Sequence, residues 1–185
     1  MMENKDVIFA ARGQLFARVR RRVLCYAPFL WVMVLLQTTV FGVFSPFGMT
    51  PDLALLSVFG IALFDDEYAG CASAVFAGFL EGTLGGGIRL WTVAFLVIAV
   101  FCGTVLRHAM GRPIVSYLIY GAMICLFRMV LTLAVLCVTT GLSGFDLRDI
   151  FKETLIPELC CHLCVLLPLY FPLRGLVRLA RDRHT

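Results

Sequence analysis

The stretch Thr50–Gly87, TPDLALLSVFGIALFDDEYAGCASAVFAGFLEGTLGGG, joins two apolar segments through a short acidic turn at residues 65–67. One carboxylate, Asp52, stands near the start of the first segment, and another, Glu81, stands near the end of the second. Apolar runs of this length, separated by a polar turn, are typical of two consecutive helices. We therefore expect a packed helical pair with acidic side chains at its edges.

Both ends of this pair carry helix-boundary signals. Thr50, Pro51 and Asp52 predict a helix start, with the threonine as the capping residue, the proline at the first helical position and the acid in the first turn. Three consecutive glycines at 85–87 predict the end of the second helix, because glycine readily adopts the conformation that terminates helices. The pair therefore spans about residues 51–84.

Small residues recur every four positions along the second helix of the pair, at Gly70, Ala74, Gly78 and Gly82. A second row of mostly small residues, which includes Glu81, lies beside the first. Such rows let helix backbones approach closely in lipid. They predict that this helix is the central one, packed on both sides, with Glu81 emerging from its contact surface.

Composition places the chain in a membrane. Of its 185 residues 61% are apolar, against roughly 45–50% in soluble domains, and the mean hydropathy is +0.92. A spanning helix needs about 20 apolar residues, so the chain has room for five or six spans and no separate soluble domain. The net charge of +4 is spread over several ends and turns, which does not indicate nucleic-acid binding. All eight cysteines fall in apolar segments, where they act as small hydrophobic residues.

We expect an all-α integral membrane protein with three parts along the chain. Residues 1–22 form a basic segment, either an amphipathic interfacial helix or a loose tail; residues 23–173 form the membrane domain; residues 174–185 form a basic cytoplasmic tail. The expected spans are 23–44, 51–64, 68–84, 90–106, 114–140 and 154–171. The second is short for a span, and a re-entrant helix is the alternative.

The distribution of basic residues predicts the orientation. With six spans and both termini in the cytoplasm, the inner segments collect 12 lysines and arginines, whereas the outer segments collect 3. Cytoplasmic loops carry such an excess of basic residues. A five-span arrangement would leave one of the two basic termini outside the cell.

Five ionisable side chains fall within the expected spans, all in or near the outer half of the bilayer: Asp52, Glu81, Arg128, Glu158 and His162. Ionisable groups are costly in lipid and need partners. We expect Arg128 to pair with Glu158 or Glu81, with His162 as a hydrogen-bonding neighbour because it lies one helical turn from Glu158. Two roles stay open for the group, namely fixing helix register or contacting a partner or ligand.

Catalytic and metal-binding patterns are weak. Cys160, Cys161, His162 and Cys164 have the residue types of metal ligands, but they lie within a span and no second ligand cluster matches them. No serine–histidine–acid set or paired-histidine motif stands out. We therefore expect no enzymatic activity, no cofactor and no bound metal.

The opening stretch resembles the rod shape-determining MreD family. Members of that family often open the second span with Pro-Asp or Pro-Asn, and their third span has the form G-x-x-x-G…D-x-x-x-G. Pro51-Asp52-Leu53 matches the first element, and Ala77–Gly85 matches the second, with Glu81 in place of the usual aspartate. Residues 86–90 resemble the glycine-rich turn that follows the third span in the family. The resemblance to the family is best over residues 50–106.

The resemblance implies a non-enzymatic scaffold of the bacterial elongation complex in the cytoplasmic membrane, which controls cell shape and lateral peptidoglycan synthesis. The implied main partner is MreC, with MreB, the RodA glycosyltransferase and a class B penicillin-binding protein as further members of the complex. The fold implied is similar to that of the substrate-binding S-components of vitamin transporters, and no catalytic residues are implied.

A transport module is the alternative function. An S-component captures a small molecule near the outer face, and carboxylates there would suit a cationic ligand. S-components usually dock their membrane partner through an alanine-x-x-x-alanine face in span one, whereas this chain carries Cys25, Phe29 and Met33 there. The scaffold is therefore the favoured interpretation.

Overall fold

The computed structural model describes residues 3–44, 50–84, 90–106, 113–140 and 151–181. Within these ranges the chain is helical apart from short turns, and no strand occurs. The helices are α1 (Glu3–Leu35, continued by a π-helical turn Leu36–Val40 and by Phe41–Val43), α2 (Leu53–Phe64), α3 (Glu67–Leu84), α4 (Leu90–Phe101, continued by a π-helical turn Cys102–Leu106), α5 (Pro113–Thr140) and α6 (Ile156–Arg181, preceded by a π-helical turn Phe151–Leu155).

Three of these helices are long and apolar enough to cross a membrane: Val19–Val43 of α1, Ile114–Val135 of α5 and Ile156–Arg181 of α6. Two shorter apolar helices accompany them, Leu53–Phe64 and Thr92–Leu106. Large apolar side chains lie exposed along the outside of the bundle, as suits contact with lipid rather than water. The architecture is that of a helical membrane protein.

The terminal helices are longer than the spans drawn from sequence. Helix α1 begins at Glu3, so the basic N-terminal segment is continuous with the apolar part of the same helix. Helix α6 runs to Arg181, so most of the segment expected as a basic tail is helical. In α6 the extension is packed, since Leu173, Val177 and Ala180 are buried one turn after another.

The central helix is α2, and the prediction that the third span is central was wrong. Every residue from Leu53 to Leu63 is buried, and α2 contacts all five other helices. By contrast, α3 exposes Tyr68, Val75 and Phe79 along one face. The sequence LALLSVFGIALF is apolar on all sides, which is the pattern of a fully enclosed helix. Small residues permit close contact, but uniform apolarity determines which helix is enclosed.

Contacts along the bundle show that successive helices alternate in direction. Arg22 of α1 lies beside Asp65, and Gln37 of the same helix lies beside Glu81, so α1 and α3 run parallel to each other. Helix α2, which precedes α3 in the chain, runs antiparallel to both. Helix α5 passes from Tyr117, stacked on Phe64, to Arg128 beside Asp52, and α6 returns from Glu158 to Leu179, which contacts Arg21. The two terminal helices therefore meet at the Asp65 end of α2.

The predicted row of small residues on α3 makes close contacts at three of its four positions. A Cβ on Gly70 would lie 2.5 Å from the Cβ of Ala62 in α2, and one on Gly78 would overlap the side chain of Thr92 in α4. Ala74 is fully buried. Gly82 differs, because no described residue lies within 4 Å of the space that its side chain would occupy. The row therefore packs tightly towards the Asp65 end and is open at the other end.

Candidate functional site

A polar cluster surrounds the start of α2. We call Asp52, Arg128, Glu158 and His162 the Asp52 cluster. Asp52 is the N-cap of α2, where its Oδ1 accepts a hydrogen bond from the backbone N–H of Leu55 at 2.8 Å. The prediction of Thr50 as the cap was therefore wrong. A side-chain oxygen at the N-cap satisfies one of the free N–H groups of the first turn, and here the carboxylate also gains a cationic partner.

Arg128 links two carboxylates from different helices. Its Nε lies 3.1 Å from Oδ2 of Asp52, and its Nη1 lies 3.1 Å from Oε1 of Glu158. Asp52 is 2% exposed and Arg128 is 18% exposed, so the ion pairs are shielded from solvent. The expected pair of Arg128 with Glu158 is present, and the contact with Asp52 is an addition that the sequence did not suggest. One guanidinium thereby holds α2, α5 and α6 together.

His162 completes the cluster in a defined tautomer. Its Nε2 lies 3.0 Å from the backbone nitrogen of Asp52 and 2.9 Å from Nη1 of Arg128, and both of these groups can only donate. Nε2 is therefore the unprotonated nitrogen. The other ring nitrogen, Nδ1, donates to the backbone carbonyl of Glu158 at 2.7 Å. His162 is therefore a neutral hydrogen-bond acceptor at the N-terminus of α2. Its contact with Arg128 agrees with the expectation that it is a hydrogen-bonding neighbour of that residue.

Gln37 connects the start of α2 to Glu81. Its Oε1 accepts from the backbone N–H of Ala54 at 3.1 Å, and its Nε2 donates to Oε1 of Glu81 at 2.8 Å. Of the two expected acids, Glu158 forms the ion pair with Arg128, whereas Glu81 accepts a hydrogen bond from Gln37. Gln37 lies in the π-helical turn of α1, a distortion that is frequent at functional sites. Gln37 is the only strongly polar side chain of its apolar segment, residues 23–44, but its partners lie too far along the chain to be inferred from sequence.

The Asp52 cluster is filled by protein. The void beside Arg128, Glu158 and His162 has a volume of about 10 Å³, roughly that of one water molecule. A larger groove of about 370 Å³ lies between α1 and α3 towards the Asp65 end. Its lining is mostly apolar and includes Tyr26 and Ser73. Within the described residues, the cluster therefore has a structural geometry rather than that of an open binding site.

A second polar cluster, consisting of Arg22, Tyr26, Asp65 and Asp66, surrounds the end of α2. We call it the Asp65 cluster. Arg22 donates from Nη2 to Oδ1 of Asp65 at 2.9 Å and from Nη1 to Oδ2 of Asp66 at 2.6 Å. The hydroxyl of Tyr26 donates to the second oxygen of Asp65 at 2.8 Å. The sequence marked the acidic turn and the basic segment separately and did not predict that they pair.

The Asp65 cluster also starts the next helix. Oδ1 of Asp66 accepts from the backbone N–H of Ala69 at 2.7 Å, which caps the first turn of α3. Asp65 is 2% exposed, whereas Asp66 is 26% exposed, so the cluster reaches from the interior to the edge of the bundle. The turn between α2 and α3 is therefore held by α1 through side-chain contacts.

The cysteine-rich turn of α6 does not assemble a metal site. Cys160 and Cys164 are exposed, Cys161 is buried, and all eight cysteines of the chain are free. Both ring nitrogens of His162 already make hydrogen bonds. Among the residues that the structure describes, no group of three or more histidine, cysteine and acidic side chains is arranged to hold a metal ion.

Comparisons with protein-family models, with curated proteins and with solved structures returned no match to this chain.

Proposed function

We propose that this chain is a non-enzymatic scaffold of the bacterial elongation complex, a member of the MreD family whose main partner is MreC. In this role it would help to control cell shape and lateral peptidoglycan synthesis together with MreB, RodA and a class B penicillin-binding protein. The basis of the proposal is the motif in residues 50–87, and the structure adds one observation that supports it.

That observation is the proximity of the two acids of the motif. Asp52 and Glu81 lie 29 positions apart in sequence, yet Gln37 bridges the start of α2 to Glu81 in the structure. Arg128 then ties Asp52 to Glu158 of α6. Motif residues that meet in one partly buried network behave as a structural unit, which suits a rigid docking body.

We further propose six spans with both termini in the cytoplasm of the bacterial cell, in an arrangement similar to that of S-components. The alternating directions of the six described helices support this topology, as does the excess of basic residues at the Asp65 end. On this topology the Asp52 cluster lies in the outer part of the membrane, since α2 is only about 18 Å long and ends near the cytoplasmic side.

The transporter alternative is less well supported by the geometry. Pockets for small molecules usually measure about 300–1,000 Å³. Among the residues that the structure describes, the void at the Asp52 cluster is about 10 Å³, and a groove of suitable size lies between α1 and α3 at the opposite end. Capture of a vitamin at the outer face would need a cavity beside the Asp52 cluster.

Co-purification tests the proposal. The tagged chain is expressed in its host, extracted in mild detergent and probed for MreC, with an unrelated multi-span protein carrying the same tag as the control. We expect MreC to be recovered with this chain only, and we expect rod-shaped cells to round on its depletion. Depleted cells that stay rod-shaped and yield no MreC would overturn the proposal, as would tight co-purification of a vitamin.

A variant at Glu81 asks whether the acid faces the partner. In Glu81→Gln the amide oxygen can still accept from Gln37, so the fold should persist while the charge is removed. Loss of MreC recovery at unchanged membrane accumulation would assign Glu81 to the partner surface. Unchanged recovery would assign it to helix packing. Glu153→Gln, at an exposed acid before α6, is the matched control.

A further inference from the structure

Basic side chains from both ends of the chain converge at the Asp65 end of the bundle. Arg21 of α1 donates to the backbone carbonyl of Leu179, which lies in the last turn of α6. The last carbonyls of a helix have no intrahelical partner, and an arginine can satisfy them. This contact places the arginines of α1 next to those of α6.

The arginines of α6 form a stripe. Arg174, Arg178 and Arg181 are spaced four and three residues apart, which puts them on one helix face over a length of about 10 Å. Arg174 is held in place by donating to the hydroxyl of Tyr170 at 2.7 Å. Arg178 and Arg181 are exposed, as is Arg20 of α1.

This positive charge is not balanced within the described part of the chain. There, the arginines with a carboxylate within 4 Å are Arg22 and Arg128. The set formed by Arg20, Arg21, Arg174, Arg178 and Arg181, which we call the arginine patch, has no such partner among those residues. Its members lie at the ends of apolar helices, where the headgroups of a bilayer begin.

We propose that the arginine patch binds the phosphate groups of anionic phospholipids in the leaflet at the Asp65 end. Clusters of four to eight basic residues beside a membrane helix attract anionic lipid, and arginine pairs well with phosphate. Attraction between exposed charges acts over about one screening length, ~8 Å at physiological salt. The lipid would neutralise the patch and hold the ends of α1 and α6 together. The inference requires only that the chain is a membrane protein and is independent of the scaffold role.

Thermal unfolding of the full chain in a non-ionic detergent tests this inference. Phosphatidylglycerol should raise the unfolding temperature by about 5 °C or more near saturation. Phosphatidylcholine and inorganic phosphate, at the same concentration, should leave it nearly unchanged. An equal shift with inorganic phosphate would mean that the patch binds soluble phosphate, and the lipid assignment would be overturned.

The triple variant Arg20→Gln, Arg178→Gln, Arg181→Gln should lose most of the phosphatidylglycerol shift. The matched control removes Arg89, Arg148 and Lys152, the three basic residues expected on the opposite side, and should keep the shift. An undiminished shift in the triple variant would refute the proposal, and so would the absence of any lipid preference, which would favour an acidic protein partner instead.

Salt provides a readout that needs no variant. At about 1 M sodium chloride the screening length falls to about 3 Å, so the lipid preference of the unmodified chain should disappear. A preference that persists at this salt concentration would arise from contacts other than the charge of the arginine patch, and would contradict the inference even if the triple variant failed to fold.

Discussion

The two ends of α2 use the same chemistry in different settings. At each end one arginine joins two carboxylates, and the aspartate at the helix end is 2% exposed. The Asp65 cluster combines α1 with the turn that follows α2, and Asp66 reaches the edge of the bundle. The Asp52 cluster combines α2, α5 and α6, and its arginine lies midway along a helix of 28 residues.

The difference lies in what each cluster requires of the rest of the fold. Arg22 and Asp65 are 43 positions apart, and α1 and the turn meet once the first two helices pair. Asp52 and His162 are 110 positions apart, so the Asp52 cluster is complete only when α6 has docked. The Asp65 cluster therefore stabilises the turn between α2 and α3. The Asp52 cluster forms only in the complete bundle and stabilises the packing of α2, α5 and α6.

The largest expected effect follows removal of the buried cation. Arg128→Leu leaves Asp52 and Glu158 without their cationic partner inside the bundle, and it should cost about 3–5 kcal/mol of unfolding free energy. Arg22→Leu is the matched control at the other end, where the edge of the bundle lets water reach Asp66, and it should cost less than half as much. Denaturant titration in mixed micelles measures both. Equal losses would remove the distinction between the two ends.

Packing along α3 should differ between its two ends in the opposite direction to the ion pairs, with the larger loss of stability at the Asp65 end. Gly70→Ala brings a methyl group against the backbone and Cβ of Ala62, so we expect a loss of about 2 kcal/mol. Gly82→Ala, in the same row but with open space around it among the described residues, should change stability by less than about 1 kcal/mol, because alanine favours the helix and meets no neighbour there. The same titration compares them. A larger loss for Gly82→Ala would show that the row is closed at its other end.

The bridge between α1 and the two acids of the motif is expected to have a moderate effect. Gln37→Leu leaves the N–H of Ala54 and the carboxyl group of Glu81 without their partner, which should cost about 1.5 kcal/mol. Gln37→Glu restores only an acceptor for Ala54 and sets a second acid beside Glu81. A Leu variant as stable as the parent would mean that the bridge adds no stability.

The smallest effect is expected at Tyr26. Tyr26→Phe keeps the ring in the core and removes one hydrogen bond to Asp65, which Arg22 still neutralises. Single hydrogen bonds within membrane bundles contribute about 0.6 kcal/mol on average, and we expect a loss near 1 kcal/mol because the group is buried. A loss that matches the one in Arg128→Leu would contradict the local role of the Asp65 cluster.

Membrane character and local chemistry could be predicted from the sequence. Hydropathy indicates apolar helices directly, and the cost of charges in lipid predicts that Arg128 pairs with one of two acids, Glu158 or Glu81. His162 was placed beside Glu158 by helical spacing alone. The hydropathy and the helical spacing are properties of single segments, and the ion pair follows from the small number of charges within the spans, so none of these predictions requires knowledge of the fold.

Contacts between distant segments could not be predicted in the same way. Nothing in the sequence links Arg22 to the acidic turn or Gln37 to Ala54, because the relative rotation of helices determines both pairs. The mistake about the central helix has a physical cause as well. The prediction relied on the small residues of α3, which allow close approach between helices. The enclosed helix is instead α2, which has no polar face.

The most direct test of the account is a double-mutant cycle between Arg128 and Glu158, measured as unfolding free energy in mixed micelles. If the two side chains form one buried ion pair at the start of α2, Glu158→Gln should cost much less in the Arg128→Leu background than in the parent, with a coupling of about 2 kcal/mol. Strictly additive losses would contradict the account, because they would mean that the Asp52 cluster does not hold α5 and α6 together.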